Sequence, residues 1–145
     1  MKNMAELADR AVEAARFWGF DLDYSAESLE SVEKLAQMIW RSNRNQPLPE
    51  KFLFSVADLY GAYLGEVLLR SGLADLGFAW VKNEEGDLGI GREDIWMAPF
   101  TKVCKRIVQG PEHSLTDFFD YMFRLAIGAL DLNDPRMHVV REEAG

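Results

Sequence analysis

The segment from Glu50 to Ser71 constrains this chain more than any other. Phe52, Leu53, Val56, Leu59, Tyr60, Tyr63, Leu64, Val67 and Leu68 recur at three- and four-residue steps and cover more than half of a helix circumference. A helix this apolar is stable in water only with neighbours on most sides, so the spacing predicts a largely buried central helix. Pro49-Glu50 suits its first turn and Gly72 its end. Gly61 and Gly65 lie four apart and share one face, which Ala57 and Asp58 extend a turn earlier. A glycine inside a helix costs up to ~1 kcal/mol relative to alanine, so two on one face need a reason. Either another helix or a sheet approaches the backbone closely there, or the glycines clear room for a ligand beside Tyr60, Tyr63 and Glu66. Glu66 is an acid in an otherwise apolar stretch. If it is buried, an internal cation should satisfy it, with Lys102 and Arg106 the expected partners.

Two helices are expected before this one. The first runs from about Asn3 to Trp18, with Leu7, Ala8, Ala11, Val12, Ala15 and Trp18 on its stripe and Gly19 as its stop. The second carries Leu29, Val32, Leu35, Ala36, Ile39 and Trp40; Ser25 or Ser28 caps it, and neither has the Glu or Gln three residues on that completes a capping box. A polar, basic loop from Ser42 to Pro49 follows. After Gly72 the pattern changes. Phe78-Ala79-Trp80-Val81, Leu88-Gly89-Ile90-Gly91 and Ile95-Trp96-Met97-Ala98 read as a small antiparallel meander of two or three strands. A helix from about Phe100 to Val108 turns Val103, Cys104 and Ile107 inward and stops at Gly110-Pro111. Ser114 caps a last helix, whose stripe runs from Leu115 through Phe118, Phe119, Met122, Phe123, Ala126 and Ile127 to Leu130. A polar tail is expected from Asn133 to Gly145, with Val139-Val140 its one apolar pair. The order describes one α+β domain over residues 1–145.

Composition bounds the function. Hydrophobic residues make up 48% of 145, enough for one core. Lys and Arg number 16 against 24 Asp and Glu, a formal net charge of −8, which argues against a phosphate-binding nucleic-acid surface. The N-terminus runs into Glu6, Asp9 and Glu13 where a signal peptide places its apolar segment, and no uninterrupted apolar run reaches the roughly 20 residues of a membrane span. With Cys104 the one cysteine, a cytoplasmic protein without membrane association is expected.

The residues that carry chemistry are sparse. His113 and His138 lack partners at a metal-ligand spacing, so neither metal nor cofactor is expected. Gly86, Gly89 and Gly91 have no following Lys-Ser/Thr and suit turns better than a phosphate loop. Lys102, Lys105 and Arg106 surround Cys104, yet it falls between Val103 and Ile107 on the apolar stripe of its helix.

Three runs carry a resemblance. Gly19-Phe20-Asp21-Leu22-Asp23-Tyr24-Ser25 with Ser28-Leu29 is the first, and Gly61-Ala62-Tyr63-Leu64-Gly65-Glu66-Val67 the second. Pro99-Phe100, Lys102-Val103 and Lys105-Arg106 with Gly110-Pro111 and Ser114-Leu115 form the third. Together, over about residues 19 to 120, they resemble a group of small bacterial domains of unknown function. The resemblance implies a bacterial cytosolic α+β domain and transfers no catalytic residue. Some small acidic domains of this kind are immunity-type proteins that neutralise toxins, which implies a basic protein partner. The expected surface for it is an acidic face of Asp21, Asp23, Glu27, Glu30 and Glu33, with Trp80 as an aromatic anchor. Against this non-catalytic reading stands a small-molecule site or enzyme with a pocket of Tyr60, Gly61, Tyr63, Gly65, Glu66, Lys102 and Arg106. Pairing of two copies through exposed aromatics is a third reading.

Overall fold

Asn3 opens the first helix: its side chain accepts from the backbone N–H groups of Ala5 and Glu6 at 3.0 and 3.3 Å. In a computed structural model that describes residues 3–128, this helix, α1, spans Met4–Arg16. It is followed by α2 (Leu29–Asn45), α3 (Glu50–Leu68), strands β1 (Ala79–Lys82), β2 (Leu88–Arg92) and β3 (Ile95–Met97), then α4 (Pro99–Gln109) and α5 (Leu115–Ala126). The expected α+β order holds. The tail from Asn133, Leu130 and His138 lie outside the described residues.

The core is built around α3. Every residue from Tyr60 to Leu68 is buried, because α1 packs along one flank of α3 and α4 along another. By length and composition Glu50–Leu76 could cross a membrane, but 67% of that apolar window is covered by the rest of the fold. The strands pair antiparallel in the order β1-β2-β3, with Trp80 opposite Ile90 and Ile90 opposite Met97. Ile90 and Met97 are fully buried on the sheet's inner face. α2 packs on α4 and α5, and Ser114 caps α5 by accepting from the Asp117 N–H at 3.2 Å.

Several boundaries differ from expectation for local reasons. Residues 42–45 belong to α2, because Ser, Asn and Arg do not break a helix; Pro47 does, and the Asn43 side chain closes the turn by accepting from the Leu48 N–H at 2.8 Å. Ser25 caps the turn leading into α2, its hydroxyl accepting from the Ser28 N–H at 3.2 Å, while Ser28 occupies the cap position of α2 without a side-chain cap. Gly72 (φ +137°) ends the regular part of α3 inside a π-turn, and one further turn runs to Leu76 before Gly77. Three expected core aromatics or aliphatics stay in solvent: Trp18 is 62% exposed, Phe52 44% and Ile127 51%.

Candidate functional site

Tyr63 lies on the buried face of α3 and is fully inaccessible to solvent. Its hydroxyl accepts from the Tyr24 backbone N–H at 2.9 Å and shares a 2.6 Å hydrogen bond with the Ser28 hydroxyl. Both partners belong to the acidic loop between α1 and α2. The Tyr24 ring stacks on that of Tyr63 with centroids 5.0 Å apart, the Arg70 guanidinium sits 3.7 Å over its other face, and its hydroxyl donates to Asp9 of α1. Tyr24 adopts φ +68°, a conformation that costs a non-glycine residue about 1–2 kcal/mol and persists only when its surroundings hold it. The stack, the cation and the two hydrogen bonds do so. Burial raises the Tyr63 phenol above its ordinary value and the Tyr24 phenol well above it, and the bond to Asp9 adds to the rise at Tyr24.

The loop fixed in this way presents carboxylates to solvent. Asp21, Asp23, Glu27 and Glu30 are all exposed. Asp23 accepts from the Ser25 hydroxyl at 2.6 Å and the Ser25 N–H at 3.0 Å, bonds that favour its charged form and lower its pKa. Asp21, Glu27 and Glu30 make no ion pair with another described residue. Glu33 does not join them. Its carboxylate turns inward, pairs with Arg106 Nε at 2.9 Å and accepts from Ser114 Oγ and the backbone N–H groups of Leu115 and Thr116. It therefore neutralises a buried arginine and caps α5 at once.

The pocket expected beside Gly61 and Gly65 is filled by side chains. A Cβ on Gly61 would stand 2.6 Å from Phe100 Cδ1 and 2.7 Å from Phe100 Cα, and one on Gly65 would overlap the Trp80 ring. The glycines serve close approach: α4 lies against the first and β1 against the second. Glu66 also has partners other than those expected. Its carboxylate is bound by Arg70, one turn on, at 3.0 Å and by Trp80 Nε1 at 2.8 Å. Trp80 is thus an interior strut, half-buried against Phe100, rather than a free anchor. Lys102 and Arg106 are buried on α4; Arg106 reaches Glu33 and Gln37, and Lys102 lies 5.8 Å over the Phe118 ring. Tyr60 donates weakly to the Ala11 carbonyl at 3.4 Å, and burial raises its phenol to about 12.

Sequence reasoning passes over Arg70 and names Asp9, Tyr24 and Ser28 for other reasons: the acidic N-terminus, the first resembling run and the cap of α2. Arg70 stands four residues after Glu66, a spacing that does signal an ion pair. No spacing announces that the Asp21–Ser28 run folds over Tyr63. Cys104 is partly buried and its thiol is pushed up by desolvation, away from reactivity. Among the described residues no group of three or more His, Cys, Asp or Glu side chains is gathered to hold a metal. Compared with protein-family models, with curated proteins and with solved structures, the chain gives no match.

Proposed function

We propose that this chain is a non-catalytic, acidic protein-binding module of the cytoplasm that presents the Asp21–Glu30 segment to a basic protein partner, in the manner of an immunity-type domain. One observation carries the reading. Exposed carboxylates stand on a backbone held from beneath by Tyr63, so they reach a partner already ordered. A loop fixed in advance loses little conformational entropy on docking, and unpaired carboxylates steer a basic partner toward it. The resemblance of the Asp21–Leu29 and Gly61–Val67 runs to small bacterial domains, some of them immunity-type, supports the same reading.

The test is affinity capture from cells that encode the protein, with wild type and with the triple variant Asp21→Lys, Glu27→Lys and Glu30→Lys. The reading expects a basic protein that binds wild type, leaves as salt rises from about 50 to about 300 mM, and does not bind the variant. A partner retained equally by both proteins, or indifferent to salt, would overturn it.

A further inference from the structure

The C-terminal parts of α1 and α2 and the N-terminal half of α3 do not close on one another. They leave a groove of about 370 Å³ walled mainly by Leu35, Met38 and Ile39 of α2 and Phe52, Val56 and Leu59 of α3. Ala14 and Trp18 form its third edge. Beside that edge projects Phe17, 92% exposed at the C-terminal end of α1. An exposed apolar knob thus stands next along the chain to Trp18, an edge of the apolar hole. Almost all of the Phe17 apolar surface stays in water, where its burial would be favourable.

The charges around this face are arranged to match themselves. Glu13 stands four residues before Phe17 and shares its side of α1. On α2, Lys34 and Arg41 stand four residues before and three after Met38 and share its side of the helix. None of the three makes an ion pair with another described residue. The exposed parts of Phe17, Trp18, Met38 and Phe52 amount to on the order of 500 Å² per copy, with about 200 Å² for a large side chain. Two copies together approach about 1,000 Å², where specific interfaces begin.

We infer that two copies of this chain pair across this face about a two-fold axis, Phe17 of each seated in the groove of the other. An isologous contact brings each knob to the other's hole, so Glu13 arrives beside Lys34 and Arg41 of the second copy. The inference does not depend on the acidic loop or on its partner.

Light scattering at about 100 μM, a concentration suited to an interface at the small end of the specific range, should give twice the 16.5 kDa chain mass. Phe17→Asp and Glu13→Lys, both changes at exposed positions, should each weaken pairing by about tenfold or more. Combining Glu13→Lys with Lys34→Glu and Arg41→Glu should restore it. With Met38 replaced by photoreactive benzoylphenylalanine, crosslinks should reach residues 13–18 of a second copy. A monomeric wild type, a dimer indifferent to Phe17→Asp, or a charge-reversed set that fails to restore pairing would each overturn the inference. So would a crosslink within one chain to residues beyond Gly128, which would make the chain's own C-terminal segment the occupant.

Discussion

Single atoms decide the geometry of the acidic loop. The Tyr63 hydroxyl satisfies the Tyr24 N–H and the Ser28 hydroxyl in a site closed to water. Removing it leaves the Tyr24 N–H without its acceptor, while the Ser28 hydroxyl keeps its bond to the Ser25 carbonyl, and an unmet donor costs about 1–3 kcal/mol in a buried setting. Tyr63→Phe is therefore expected to lower stability by that amount in urea unfolding, and to speed amide exchange at Tyr24 more than at residues of α5. A loop that exchanges no faster in the variant would show that the hydroxyl does not hold it. The glycine faces make an opposing case of the same size. Alanine at Gly65 gains up to ~1 kcal/mol of helix propensity, but its methyl would occupy space taken by the Trp80 ring, and overpacking typically costs about 1–3 kcal/mol. Gly65→Ala is thus expected to lower the melting temperature, where an exposed helix would gain from the same change. The sequence marks these glycines as exceptional without saying what fills them. Periodicity identifies the bare face of a helix, whereas its neighbour is set by residues well along the chain, Trp80 and Phe100.

At the scale of elements, most boundaries are legible because turn chemistry is local. Asn3, Ser114, Pro47, Gly110 and the meander turns act on residues within a few positions. The roles of charged side chains are not legible in this way. Glu33 reads as one more acid on the outer face of α2, yet it faces α4 and α5 and meets Arg106 and the start of α5, which lie 73 and 82 residues away. Position on α2 accounts for this: Glu33 follows the buried Leu29 and Val32 by four residues and one, close to the side on which α4 packs. The consequence can be measured. Arg106 is 4% exposed, so removing its carboxylate strands a buried charge and uncaps α5, a loss of about 3–5 kcal/mol. Glu33→Ala is expected to be severely destabilised in urea, and adding Arg106→Leu should recover much of the loss by removing the stranded cation. If the double variant is no more stable than the single one, the cost lies in the α5 cap and not in the buried charge.

At the scale of the whole molecule, the three phenols of Tyr24, Tyr60 and Tyr63 join α1, the acidic loop and α3, and burial raises the pKa of each. The sequence shows that α3 is central but not that these rings gather on it, since Tyr24 comes from another element. Their titration ties the fold to pH with a definite sign. In the unfolded chain a tyrosine ionises near pH 10, while in the folded protein these three hold their protons to higher pH. Between those values the folded state binds more protons than the unfolded state, so stability falls as pH rises. Below pH 10 the three phenols are protonated in both states, and stability should not vary on their account. Urea midpoints are therefore expected to hold steady approaching pH 10 and to drop above it, with phenolate absorbance appearing together with loss of the helical signal. Tyr60→Phe or Tyr63→Phe should make the drop shallower, because one fewer proton is released on unfolding. With the fourth tyrosine removed as Tyr121→Phe, phenolate forming near pH 10 in a protein that keeps its helices would mean that these rings stand in water, and the anchoring assigned to Tyr63 would fail with them.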